Sequence, residues 1–295
     1  MTGVAARLAA VALALACAAA APAKEPAALT RSNFVEAGDD IADMLDTSGL
    51  AFSTMVLGSM GMHEARTRYA SFHPSRPQVF AQTVESPCPG GGSVKVSMLD
   101  ADSSGDLSAA DRFVTLFQSC MVEGSVISGR SEFVVTAHRF AGAVETTEIE
   151  FRFTDLGTSE LRWSGPARVT LHTDLLRGTE RYQVSYCDLA VTRGTRRLQW
   201  SFSLEMVRPP FGDQLARIDG TVTLGALRLS LQQDEPFAIT SQGVPRAGQL
   251  SARDGLGGRL EVQAGRRHYT YRLFPAGGRG ERPEAVSQSK PYAKG

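Results

Sequence analysis

The sequence is poor in the features that mark most recognisable function classes. Its 31 Lys and Arg are matched by 31 Asp and Glu, so it lacks the basic surplus on which nucleic-acid and polybasic membrane-surface binding rest. Four cysteines, two tryptophans and 7% aromatics leave little material for a disulfide-dense scaffold or for stacking platforms. No apolar run reaches the roughly 20 residues that a membrane-crossing helix needs. The five histidines (His63, His73, His138, His172 and His268) form no HExxH or H-x-x-x-H pair, and no Asp or Glu cluster has transition-metal spacing. Gly58-Ser59-Met60-Gly61 is not the G-x-S-x-G nucleophile elbow, and no glycine loop is built to cradle phosphate. What the 295 residues do contain is 42% hydrophobic side chains, enough for a sizeable core and too many for a disordered chain.

Export is the first positive signal. In residues 1–23 a single charge, Arg7, precedes an apolar stretch from Leu8 to about Ala16, and small residues follow. That order is the one of a secretory signal, with Ala21-Pro22-Ala23 as a small-residue cleavage site before Lys24. Removing Arg7 alone leaves 30 positive against 31 negative residues, so the mature chain stays near neutral. An Ala-rich signal of this kind points to a bacterium and to a periplasmic or secreted location. Ala14-Leu15-Ala16-Cys17 also resembles a bacterial lipobox, with Ala14 and Leu15 in place of the preferred Leu and small residue. Acylation of Cys17 would make an outer-membrane lipoprotein, the alternative to ordinary cleavage.

Three cysteines follow the signal, and an oxidising compartment favours a bridge between two of them. Ser93 to Met98 alternates as a strand, a turn-rich loop follows, and Arg112 to Gln118 returns. Cys88 lies 12 residues before Asp100 and Cys120 lies 9 after Asp111, which sets both near the open end of this hairpin. A Cys88–Cys120 bond would stabilise the fold by about 3–4 kcal/mol through loop closure. Cys187, in the strand-like Tyr182–Cys187, reads as a buried free thiol, with nothing local to make it a nucleophile.

The sharpest motif lies inside the hairpin. Residues 100–111 read DADSSGDLSAAD. Against the twelve-position calcium loop, Asp100, Asp102 and Ser104 fall at 1, 3 and 5, and Gly105 falls at the sharp turn at 6. Asp106 offers its carbonyl at 7, Ser108 acts through water at 9, and Asp111 closes the loop at 12. Such a loop would take Ca²⁺ in a structural role, weakly, with a dissociation constant on the order of 10⁻⁴–10⁻³ M. The flanks are strand-like, so this is no EF-hand domain. The competing reading is an acidic turn whose Asp and Ser side chains satisfy its own backbone.

The remainder divides into a linker at 24–30, a helical segment at 31–62 with Ser32 as its cap, an antiparallel β-domain at 63–275, and a disordered tail at 276–295. Strands follow from period-two alternation, as in Leu198, Trp200, Phe202, Leu204 and Met206 or Tyr269, Tyr271 and Leu273. Ser128-Gly129, Ser164-Gly165, Asp219-Gly220, Ala247-Gly248 and Gly257-Gly258 read as the turns between them. The expected fold is mainly β: ten to twelve strands in one large antiparallel sheet, barrel-like or curled, with a short N-terminal helical segment.

Ala28-Leu29-Thr30…Asn33 ahead of a helix, Cys88-Pro-Gly-Gly-Gly, the 100–111 loop and Cys120 together resemble a group of uncharacterised exported proteins of Gram-negative bacteria, which share a C-x-G-G…acidic loop…C hairpin followed by many strands. The resemblance implies a periplasmic or envelope β-protein and no particular activity. Ala110 departs from that group, which often has Gly before the last Asp of the loop. Three functions compete. A non-catalytic envelope domain, stabilised by a disulfide and by Ca²⁺, would bind an unknown ligand or envelope partner on its concave face. A hydrolase or lyase would assemble a site from His138, His172, His268 and Cys187. A structural envelope component would be anchored through Cys17.

Overall fold

A computed structural model describes residues 27–45, 80–102, 104, 107–122, 125–240, 245–277 and 282–289. The alternation expected from the sequence sets the strands. In β9, for example, Leu198, Trp200, Phe202, Leu204 and Met206 are all buried and Gln199 and Ser203 are exposed. The strands are β1 (Phe80–Pro87), β2 (Ser93–Asp100), β3 (Arg112–Val122), β4 (Ser125–Ala141) and β5 (Val144–Gly157). They continue with β6 (Leu161–Asp174), β7 (Thr179–Tyr186), β8 (Leu189–Arg193), β9 (Arg196–Arg208) and β10 (Gln214–Leu224). The last five are β11 (Leu227–Ile239), β12 (Pro245–Arg253), β13 (Arg259–Ala264), β14 (Tyr269–Phe274) and β15 (Ala285–Gln288). All pair antiparallel in chain order in one sheet. β7 and β8 form one broken strand, since each pairs with both β6 and β9.

The one helix among the described residues, α1 at 34–45, docks inside the sheet. Phe34, Ala37, Ile41, Ala42 and Met44 join the core, and so does Leu29 from the stretch before it. The Leu29 N–H donates to Asp254 in the β12–β13 turn at 2.7 Å. Tyr271 of β14 donates to Asp39 at 2.9 Å, while Arg193 of β8 and Arg196 of β9 donate to the neighbouring residue, Asp40. In a flat sheet β9 and β14 stand five strand spacings of about 4.8 Å apart, about 24 Å in all. Adjacent carboxylates on one helix can reach both only if the sheet curls around it. The curled, mainly β architecture expected from the sequence is the one observed.

Several details differ from expectation. Gly129, Gly165, Gly220 and Gly248 lie within β4, β6, β10 and β12, where they bend long strands at positive φ, and do not form turns. At Gly129 (φ 108°) a Cβ would sit 2.1 Å from the Asp155 carbonyl oxygen, and at Gly220 (φ 142°) 2.5 Å from the Phe202 Cα. A turn and a bulge both select glycine for this backbone, so the residue type alone does not separate them. Gly257-Gly258 does lie in a turn, between β12 and β13. Among the described residues the strands number fifteen against the ten to twelve expected, and β8 and β15, at five and four residues, are among those too short to register as alternating runs. The stretch expected to be disordered contains β15, which pairs with β14 from Thr270↔Gln288 to Leu273↔Ala285. Ser32 shares a hydrogen bond with the Thr30 hydroxyl and caps no helical N–H; Asn33 organises the entry instead, accepting from the Thr30 N–H and donating to Ala28 O. Residues 1–26 with Cys17, the helical segment beyond residue 45, His63 and His73 lie outside the described residues.

Candidate functional site

The β1–β2 and β2–β3 hairpins carry the two features singled out from the sequence. Cys88 and Cys120 are bonded, with their Cα atoms 5.4 Å apart. The bond staples the turn before β2 to a bulge in β3, where Ser119 has φ 51° and the β3–β4 register shifts between Phe117 and Cys120. Backbone hydrogen bonds from Gly90 to Met121 and from Met121 to Gly91 close the same end.

The acidic loop opens at the opposite end of this hairpin. Asp100 is the last residue of β2 and Asp111 immediately precedes β3, so the strand pairing brings the two together. Both are buried, at 4% and 0% exposure. With Asp102 they place carboxylate oxygens within 4.8 Å of one another. Asp111 also shapes the loop, accepting from the Ala101 N–H at 2.9 Å, the Ser108 N–H at 2.9 Å and the Ser108 hydroxyl at 3.2 Å. Asp102 accepts from the Ser104 N–H at 3.0 Å, and hydrogen bonds from Ser104, side chain and backbone, hold its carboxyl down at about 2. The loop thus gathers three carboxylates and uses two of them on its own backbone. Gly105 and Asp106 lie outside the described residues. Ala110 takes φ 74°, the left-handed conformation that favours glycine. Its N–H and the Asp111 carbonyl oxygen bond Val135 of β4, tying the loop to the sheet.

The residues considered for catalysis are spread out. His138 of β4 contacts Glu145 at 3.0 Å and Phe140 edge-on. His172 of β6 pairs with Thr146 of β5 at 3.0 Å. The register sets His138 opposite Thr147 but His172 opposite Thr146, which puts the two imidazoles on opposite faces of the sheet. Partial burial, then the nearby Arg181 and Arg139, push the His172 pKa down. His268 sits in the β13–β14 turn. Cys187, read from sequence as a free thiol, is disulfide-bonded, and its partner lies outside the described residues. A strand-like neighbourhood gave no hint of that bond.

The concave face is filled. Trp200, Tyr186, Tyr269, Tyr271, Phe113 and Phe237 are each under 2% exposed or nearly so and belong to one core with α1. A cavity of about 390 Å³ lies on β4–β6 instead, where Glu132, Glu150, Arg152 and Arg168 line its polar side.

Two groups of residues escaped the sequence reading. Asp40, with no side-chain exposure, accepts from Arg193 and Arg196, while Asp43 pairs with Arg193 and Glu36 with Arg196. Burial pushes the Asp40 carboxyl up despite both arginines. No local pattern links residues more than 150 positions apart. The second group is a set of apolar side chains on hairpin tips, for which the available signal was Leu175-Leu176 and Phe211 standing inside turn sequences.

Comparisons with protein-family models, with curated proteins and with solved structures gave no match to this chain.

Proposed function

We propose that this protein is an exported, non-catalytic β-domain of the bacterial periplasm or envelope, which acts by binding and has a first hairpin held by a disulfide and by Ca²⁺. The observation that carries the reading is the Cys88–Cys120 bond, since such a bond persists in an oxidising compartment. The signal-like residues 1–23 agree with it. The calcium part is supported by the convergence of Asp100, Asp102 and Asp111 from the two ends of a twelve-residue loop. Ca²⁺ is a hard cation that takes oxygen ligands, and a weak site of this kind orders a loop without offering chemistry.

Thermal melting of the purified mature protein in EDTA and in about 10 mM Ca²⁺ tests the metal, because a ligand that binds only the folded state raises its stability. The expected result is a rise in melting temperature that Asp100→Ala/Asp102→Ala removes. No rise would reduce the loop to a self-satisfied acidic turn. Fractionation of cells expressing the full chain tests export independently, and a cytoplasmic, uncleaved product would overturn it.

A further inference from the structure

The sheet is a meander, so its hairpin tips alternate between two ends, and the two ends differ in chemistry. Along the end that also holds the acidic β2–β3 loop and the β13–β14 turn, where Arg266 and Arg267 are exposed, lie the β4–β5, β6–β7 and β9–β10 tips. Here the exposures are 89% for Phe211, 86% for Leu176, 62% for Phe140 and 57% for Leu175, with Leu215 beside them at 48%. The first three are the most exposed large apolar side chains among the described residues. At the other end the β5–β6, β8–β9 and β10–β11 hairpins turn on residues 158–160 (Thr, Ser, Glu), Gly194-Thr195 and Gly225-Ala226. The exposed large apolar side chains at that end are fewer and stand apart: Leu256 at 54% in the β12–β13 turn, Val286 at 59% early in β15, and Val126 at 41% and Met121 at 38% beside the β3–β4 tip.

The three apolar tips form one rim. The Leu175 N–H donates to Ala143 O at 3.0 Å, joining the first tip to the second, and a Cβ on Gly178 would lie 3.5 Å from Pro210, joining the second to the third. Successive tips are two strand spacings apart, about 10 Å, so the rim extends about 20 Å. Its charges are already paired: Arg139 with Glu148 at 2.7 Å, Arg177 with Asp174 at 3.8 Å, Arg208 with Glu180 at 3.4 Å and Arg246 with Asp213 at 2.5 Å. What the rim offers a partner is therefore apolar.

We infer that this rim inserts into a lipid surface. A stable protein interface draws on roughly 20–30 residues a side, far more than five side chains on separate convex tips provide. A bilayer asks only that each apolar side chain pass the headgroups, by roughly 5–10 Å. The paired charges of the three tips leave apolar insertion as the rim's own contribution, to which the exposed Arg266 and Arg267 at the same end add attraction for anionic headgroups. The inference deepens the proposed binding role by naming its partner, and it rests on that reading only for placing the protein where it meets an envelope membrane.

Flotation of the purified protein with vesicles tests it, using neutral phosphatidylcholine and, separately, phosphatidylethanolamine with phosphatidylglycerol. The wild type should float with both, and binding should persist in high salt. Phe140→Ser/Leu176→Ser/Phe211→Ser should lower vesicle binding at least tenfold with its melting temperature unchanged. The single variant Phe211→Trp gives a direct readout, because the native Trp163 and Trp200 are buried at 4% and 1% exposure. Its emission should shift to the blue with vesicles and be quenched by brominated lipid. A wild type that stays unbound, a triple variant that floats equally well, or a rim that serves only to dimerise the protein in vesicle-free solution would each overturn the inference. Correct export alongside failed flotation would leave the envelope reading standing and remove only the lipid.

Discussion

Arg193 donates to Asp40 across 3.0 Å and 153 residues of chain, and this contact locks the N-terminal helix into the curl of the sheet. Asp40 has no exposed side-chain surface, while Arg193 is 35% exposed and Arg196 33%. The arrangement is a buried acid between two half-solvated bases. Removing the acid leaves the arginines with Asp43 and Glu36, which softens the loss. Asp40→Ala is expected to cost about 2–4 kcal/mol, near the lower part of the range for breaking a buried pair. Asp40→Asn keeps an acceptor for one guanidinium and should cost less. Chemical denaturation of the three proteins checks the order, and equal stability of Asp40→Ala and wild type would show that the helix docks through its apolar face alone.

Ala110 is the strained residue of the acidic loop. A left-handed conformation costs a residue with a Cβ about 1–2 kcal/mol, and part of that is returned when glycine adds freedom to the unfolded chain. With φ at 74°, Ala110→Gly should stabilise the protein by about 0.5–1 kcal/mol, seen as a small rise in melting temperature. The side chain is exposed, so no packing is lost. A fall in stability would mean that the loop relaxes out of this conformation in solution.

The parts of the molecule that were legible in the sequence are those governed by neighbours in the chain. Alternation along β9 and β14 announces which face is buried, and the Cys88–Cys120 hairpin follows from a strand, a loop and a return within 33 residues. Gly129 and Gly220 look like turn residues in the sequence because a bulge and a turn make the same demand on φ. The bond on Cys187, the Asp40 node and the apolar rim are of a different kind. They depend on which distant segments the curl brings together, and a rim exists only because alternate hairpins share an end. In the acidic loop the residue types were legible, whereas the division of labour within Asp111, which binds its own backbone at both oxygens, was not.

His172 makes stability depend on pH. Its folded pKa lies below the ordinary 6.5, so as pH falls the unfolded chain takes up the proton first. The stability it contributes is therefore complete above 6.5 and is lost as pH falls from there through the lower folded value. Arg181, Arg139 and Glu148 are the charged groups that face it, and the two arginines oppose its protonation. Melting temperatures between about pH 7.5 and about pH 5.5 should decline, and His172→Gln, which keeps a partner for Thr146, should flatten that decline. An unchanged slope in the variant would assign the effect to other groups.

The cysteines connect the fold to export. All four cysteine positions are fixed by the sequence at 17, 88, 120 and 187, and Cys88 is bonded to Cys120. Cleavage before Lys24 leaves three cysteines, and an odd number cannot all pair within one chain. The mature protein should then take up one alkylating group after denaturation without reductant, at Cys187, and its intact mass should begin at Lys24. Processing at the lipobox would also give one alkylation, but with a chain that starts at Cys17 and carries the added mass of its acyl groups. A chain that keeps residues 1–23 should take up none, because Cys187 is disulfide-bonded in the chain that carries them. Alkylation followed by intact-mass measurement thus reads export route and the state of Cys187 together. Zero alkylation on a chain that begins at Lys24 would mean that Cys187 is blocked, either by a second molecule, which non-reducing electrophoresis would show as a dimer, or by a small thiol or oxidation, which the intact mass would show.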